Sequence, residues 1–324
     1  MQHGIFTISL DFELHWGRFD KVNVSENKQY FENTLAVIPR MLHLFEQNNM
    51  EITWATVGML YCQSIQELKE NYPSHLPNFE NPKVSAYHFI DTQYEDVYAR
   101  FYFAKNLIEN ILKTKGQEIG THTFAHYYCE EKGHTKQTFD ADLKNATKIS
   151  KDLGVQNKSI VMPRNQFNLN DCEVINDNGI VVVRTNPDLW CWNFNFKIEI
   201  LKKIVRSADC YVPLFKTHYS LASKKLHNGL LLLPASRFLK PLHKITLLNK
   251  LRLRRIKNEM TKAAKANECY HLWWHPHNFG INPEQAMLEL GEIISHFNFL
   301  NKTYNMKSKS MISTYNMLVN KTMS

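Results

Sequence analysis

Residues 5–17, running from Ile5 through Thr7, Ser9, Asp11 and Glu13 to Gly17, constrain this chain more than any other stretch. The segment opens as an apolar, β-branched run of the kind that prefers a buried strand, and Gly17 suits the turn that leaves it. Alternate side chains of a strand share a face, so Asp11 and Glu13 point one way while Phe12 points into the opposite wall. Two carboxylates at the end of a hydrophobic strand are costly unless a cation, an arginine or a catalytic task compensates them. The plain alternative is a strand that emerges into solvent.

Beyond Gly17 the chain alternates between helix and strand patterns. A polar loop leads to a helical pattern over about 30–49, with Leu35, Ile38, Leu42 and Phe45 on one face, and then to a strand over 51–58. Further strands are expected at 116–123, 159–162, 180–184, 230–233 and 269–274, with helices at about 60–70, 95–114, 138–153, 171–178 and 283–299 between them. Strand–helix repetition of this kind implies a parallel sheet or barrel. No linker separates the parts, so the 324 residues are expected to form a single domain over 1–324. Two stretches stand apart. Residues 60–97 form a long excursion rich in loops and aromatics, and residues 240–265 hold nine Lys/Arg against one Glu, patterned as helix from about Thr246. The last 20 or so residues are polar and read as loose.

Composition narrows the setting. The net charge of +8 allows an anionic partner, and the basic stretch suits either a solvated helix face or contact with anionic lipid head groups or a sugar pyrophosphate. Nucleic acid has only this charge in its favour, with no matching motif. No apolar run approaches a membrane span, and the N-terminus enters a strand without the build of a signal peptide, so a cytoplasmic protein is expected. Six scattered cysteines without a C-x-x-C pair read as reduced thiols.

Four polar groups come directly after expected strands: Asp11/Glu13, His122/His126, Arg164 and His275/His277. Strand ends on one face of a parallel β/α architecture are where sites assemble. His122 and His126, four residues apart, share a face if they lie on a helical turn. With one carboxylate they make a metal site that leaves a position for water, while the other carboxylate is free to act as base. Arg164 can pair with the base carboxylate, and a histidine of the last strand can protonate a leaving amine. These parts describe metal-assisted hydrolysis of an amide or ester. His15 falls on the Asp11 face if the strand continues, which makes it a substrate contact. Trp190, Trp192, Phe194 and Phe196 form either a hydrophobic cluster or a platform for sugar stacking.

In order along the chain, these residues resemble the polysaccharide deacetylase family, the carbohydrate esterases with the NodB homology domain. Ser9-Leu-Asp11-Phe-Glu13 is similar to the family's opening Asp motif, and Trp54-Ala-Thr-Val-Gly58 to its Ala-Thr-Phe-Phe strand. Glu118-Ile-Gly-Thr-His-Thr-Phe-Ala-His126 resembles its histidine motif, Arg164 its Arg-x-Pro-Tyr, and Leu272-Trp-Trp-His275 its closing Leu-x-x-His. The resemblance implies a distorted (β/α)7 barrel and metal-dependent removal of an acyl group, chiefly N-acetyl, from a sugar. Carried over, Asp11 is the base, tethered by Arg164; Glu13, His122 and His126 hold the metal; His275 is the acid. The backbone N–H near Phe167 serves the oxyanion, and Phe167, Trp190, His277 and His15 contact substrate. The cofactor is one divalent ion, zinc first, with cobalt, nickel, manganese or iron as alternatives.

Three features depart from the pattern. The carboxylates are spaced Asp-x-Glu, as in a branch that includes enzymes of small amides or imides. Arg164 is followed by Asn-Gln-Phe, and Asp188 is the nearest candidate to support the acid histidine. The substrate expected is a nucleotide- or lipid-linked sugar of surface polysaccharide or glycolipid assembly, with a small non-sugar amide or cyclic imide as the alternative.

Overall fold

The computed structural model describes residues 3–192, 199–224 and 226–322. Phe194 and Phe196 of the expected aromatic platform lie outside the described residues. In chain order the strands are β1 (Ile5–Phe12), β2 (Ile52–Thr56), β3 (Gln117–Thr121), β4 (Ser159–Val161), β5 (Val182–Thr185), β6 (Leu226–His227), β7 (Leu230–Pro234), β8 (Arg237–Phe238), β9 (Cys269–Trp274) and β10 (Lys307–Ser308). The helices are α1 (Lys28–Gln47), α2 (Ile65–Glu70), α3 (Ala86–Gln93), α4 (Lys105–Lys113), α5 (Lys136–Lys151), α6 (Cys172–Asp177), α7 (Glu199–Asp209), α8 (Thr246–Ala266), α9 (Pro283–Tyr304) and α10 (Met311–Thr322).

The strands pair in the order β6-β7-β5-β4-β3-β2-β1-β9-β8, and every neighbouring pair but β6/β7 is parallel. The sheet is strongly curled. In a flat sheet β1 and β5 would stand about 19 Å apart, four strand spacings, yet Arg184 at the end of β5 donates to Asp11 at the end of β1 at 2.6 Å. That contact crosses the interior of a cylinder. The fold is a distorted (β/α)7 barrel in which, among the described residues, no ladder closes the circle between β7 and β8.

Strand alternation sorts side chains between two cores. Phe6, Ile8, Leu10 and Phe12 of β1 face outward into the large cluster beneath the helices, with Tyr270, Leu272 and Trp274 of β9. Ile5 and Cys269 face inward and join Ala55, Val161, Val182 and Leu231 in a smaller cluster inside the barrel. Going up the interior, this apolar floor gives way to Ser9 and His271, then to Arg184 and Asp11, and finally to Glu13.

The expected loose C-terminus is ordered instead. β10 pairs with β1, and α10 lies across the N-terminal end of the barrel with Met311 and Thr314 buried. Thr53 Oγ1 and a Glu118 carboxylate oxygen accept the N–H groups of Met311 and Ile312, satisfying free donors at the helix start. The polar composition that suggested disorder marks a helix whose polar groups serve the barrel floor.

The basic stretch is likewise divided. α8 buries Arg252 against Glu289, and Arg255 against Asp209 and Glu259, so part of its charge is internal. In the 60–97 excursion, α3 packs Phe89 against Trp16 and Tyr102, making it part of the wall. No helix among the described residues is long and apolar enough to cross a membrane.

Candidate metal centre and active site

The site occupies the C-terminal ends of the strands. Glu13 comes directly after β1, and its Oε2 lies 3.3 Å from His122 Nε2 and 3.0 Å from His126 Nε2. All three residues are buried, and together they form a group whose ligand atoms could hold one metal ion. The orientation of His122 tests that fit. Its Nδ1 lies 2.7 Å from the Val161 carbonyl, which can only accept, so Nδ1 carries a proton and Nε2 is the ring nitrogen turned toward Glu13. A buried imidazole nitrogen and a carboxylate oxygen 3.3 Å apart, both types of metal ligand, can share one cation. Tyr128 Oη, 3.0 Å from His126 Nδ1, holds the orientation of the second ring. The donor set therefore suits a divalent ion.

The two histidines do not reach this point from a helical turn, as their spacing suggested. Residues 122–128 form an irregular loop in which Thr123 (φ 63°) and His126 (φ 52°) both adopt the left-handed conformation that non-glycine residues rarely take. Buried Asp142 of α5 holds the loop by accepting the N–H groups of Phe124 and Ala125 at 2.6 and 3.0 Å. Thr123 Oγ1 accepts from the Tyr127 N–H, closing the turn.

Glu13 is further confined by Gly17. The chain leaves β1 through a tight turn over Leu14–Gly17, and a Cβ on Gly17 would lie 1.9 Å from Glu13 Cδ. This turn also removes His15 from the interior. Its ring packs among Phe31, Phe89 and Tyr102, its Nε2 donates to the Val22 carbonyl at 2.7 Å, and burial lowers its pKa to about 4. The expectation of a substrate contact failed because β1 ends before His15.

Asp11 is held by Arg184, not by Arg164. Arg184 donates from Nη1 and Nη2 to the two oxygens of Asp11 at 2.6 and 2.8 Å, and also to Ser9 Oγ and Asn165 Oδ1, both at 3.0 Å. Its guanidinium stacks on Trp273 at 4.2 Å. Burial pushes the Asp11 carboxyl up, but Arg184, with His122 and His275, brings it below the usual range. Burial opposes ionisation of Glu13 too, and there His275, His122 and His126 prevail and hold it well below. Arg164 turns outward because its backbone is left-handed (φ 54°); it pairs with Asp20 and Glu131 and lies over Tyr128. The sequence did carry a signal for Arg184: it sits two residues after Val182, on the same inward face of a strand read as buried.

His275 Nε2 lies 3.7 Å from both Asp11 Oδ2 and Glu13 Oε1, and its side chain is 23% exposed. His277 stacks on it nearly parallel, at 4.8 Å, with Nδ1 3.5 Å from Glu13 Oε1; burial, then the nearby His275, drops its pKa to about 3. Asp188 is exposed and pairs with Lys224, so it does not support His275. Phe167 donates its N–H to the Asn165 carbonyl at 3.1 Å, which removes it from an oxyanion role. Its ring instead lines, with Trp190, Trp192 and Asn186, a cleft of about 860 Å³ at the ends of β4, β5 and β7.

Similarity to known proteins agrees with this fold. A polysaccharide deacetylase family model matches residues 29–183. No curated protein matches the sequence. Among solved structures, a Mycobacterium smegmatis protein assigned as a polysaccharide deacetylase superposes with a TM-score of 0.64 at 13% identity, covering 99% of this chain and 92% of its own. A Pseudomonas aeruginosa PAO1 protein with the same assignment gives 0.55 at 11% identity, covering 96% and 89%. PuuE allantoinase gives 0.54 at 11% identity, covering 96% and 88%. Sequence pattern and barrel point the same way: segment 29–183 is similar to the polysaccharide deacetylase family, and the fold is shared with solved structures assigned to that family.

Proposed function

We propose that this chain is a metal-dependent deacylase that removes an acyl group, chiefly N-acetyl, from a sugar. The observation that supports this most is the meeting of Glu13, His122 and His126 beside an Asp11 clamped by Arg184. Glu13, His122 and His126 would hold a divalent ion, which when bound would supply Lewis acidity for the acyl carbonyl and for the attacking water. Asp11, ionised by its pairing with Arg184, takes the proton of that water. His275, at the open side of the carboxylates, gives a proton to the departing amine. His277, with a pKa near 3, stays neutral and walls the acid in place. Arg184 and Ser9 keep the Asp11 oxygens aimed, which is a positioning role.

The cleft lined by Phe167, Trp190 and Trp192 offers aromatic faces to sugar rings, with Asn168 and Asn186 as hydrogen-bonding groups. Its size favours a sugar carrying further groups, such as a phosphate-linked sugar in surface polysaccharide or glycolipid synthesis. The Asp-x-Glu spacing favours a second reading, hydrolysis of a small amide or cyclic imide. Acetate release from N-acetyl sugars and sugar nucleotides, set against ring opening of cyclic imides, separates the two. The purified protein is expected to carry about one divalent ion per chain, lost in His122→Ala and kept in the inactive Asp11→Asn. Loss of metal in both variants would make Asp11 a ligand, and no metal in any form would end the hydrolase reading.

A further inference from the structure

We propose that the face formed by α7, the turn after it and the start of α8 docks on an anionic membrane surface. Among the described residues, 8 of the 17 exposed large hydrophobic side chains fall within 200–214 and 245–251. On α7, Ile200 and Ile204 lie one turn apart and are 74% and 59% exposed. Val212 and Leu214 stand out from the turn after α7, and Ile245 and Leu247 from the start of α8.

These pieces are neighbours. Lys240 donates to Ser207 of α7 at 2.9 Å, which ties the approach of α8 to α7. Leu247, Leu251 and Arg255 recur every four residues on one face of α8, and Arg255 donates to Asp209 and to the Phe215 carbonyl. That face therefore looks toward the turn bearing Val212 and Leu214.

The charge around the apolar side chains is predominantly positive. Residues 199–216 and 240–258 contain Glu199 and Asp209 as their acids, and Asp209 is buried between Arg237 and Arg255. Lys203, Lys244, Lys250 and Arg254 remain exposed. Apolar side chains set among lysines and arginines match the interfacial zone of an anionic bilayer, the first entering the acyl boundary and the second meeting the head groups. A second copy of the chain would bring the same positive face and be repelled. The face also adjoins the catalytic mouth: Phe238, two residues before Lys240, packs its ring 5.7 Å from that of His275. Docking there presents the active site to groups at the bilayer surface, and it stands independently of the deacylase reading.

The test is co-sedimentation of the full-length protein with phosphatidylglycerol/phosphatidylcholine vesicles and with phosphatidylcholine alone. Binding is expected to the anionic vesicles only and to fall as salt is raised. Lys244→Glu/Lys250→Glu and Ile204→Ser/Leu247→Ser should each lower it about tenfold or more, while Leu288→Ser, an exposed leucine on α9, leaves it unchanged. Equal sedimentation with both vesicles, none with either, or binding that ignores the paired variants would overturn the proposal. So would a wild-type dimer that these variants convert to monomer without any vesicle dependence. Vesicle binding needs no turnover, so its failure leaves the proposed chemistry standing, and an inactive protein that binds vesicles leaves the docking face standing.

Discussion

The sharpest test of the metal centre is a single methyl group at Gly17. Its Cβ would fall 1.9 Å from Glu13 Cδ and from Oε1, against a normal carbon–carbon contact of about 3.5 Å. The carboxyl must move by roughly 1.5 Å, whereas metal–ligand distances tolerate only about ±0.2 Å. The backbone of the turn does not oppose alanine, because Gly17 does not have a positive φ. Gly17→Ala is therefore expected to cost the apo-protein no more than about 1 kcal/mol, yet to weaken divalent metal binding about 100-fold or more, since it removes one of three ligands. Cobalt titration of the apo-protein, monitored by visible absorption and calorimetry, reads the affinity; circular dichroism and denaturant melts read the fold. Glu13→Gln is the comparison and should fail in the same way. A folded Gly17→Ala protein that binds cobalt as tightly as wild type would refute Glu13 as a ligand confined by this turn.

Arg184→Met leaves the buried Asp11 carboxylate without its partner and is expected to cost about 3–5 kcal/mol; on any accepted substrate the acidic limb of the pH–rate profile should move up. Arg164→Ala should leave that limb in place, and the two profiles measured together check which arginine tethers Asp11. His15, neutral in the fold with a pKa of about 4 and ordinary when unfolded, binds a proton on unfolding between those values. Its contribution to stability is thus held at neutral pH and lost on acidification, about 1.6 kcal/mol between pH 6.5 and 5; urea melts of wild type and His15→Gln at both pH values should differ by that slope. Met311→Ala opens a cavity between α10 and the barrel floor and should cost about 2–5 kcal/mol by the same melts.

What the sequence revealed and what it hid have physical reasons. The inward pair Asp11/Glu13 was legible because strand alternation leaves no choice of face, and β9 falls on Cys269–Trp274 as expected because its apolar run is sharply bounded. The proximity of His122 and His126 was foreseen but for the wrong local reason, since a loop with two left-handed residues brings them together in place of a helical turn. Such strain depends on a distant support, here Asp142, and leaves no periodic signature. The tether of Asp11 was misplaced for a related reason: two arginines lie at the ends of adjacent strands, and only the backbone at Arg164 decides which one faces inward. α10 was missed because its burial is shared with strands more than 250 residues away.

The position of β1 has a consequence for biosynthesis. It pairs with β2 along one edge from Ile8 onward, while its other edge waits for β9, where Ile5 meets Cys269. The remaining backbone at Ile5 and Phe6 waits longer still, for β10. At roughly 5–20 residues per second, a ribosome needs on the order of tens of seconds to deliver these partners. Until then the strand bearing Asp11 and leading into Glu13 is a half-paired ribbon, with an open row of backbone donors and acceptors. A nascent or prematurely terminated chain lacking β9 should therefore be a client for chaperones and a substrate for proteases.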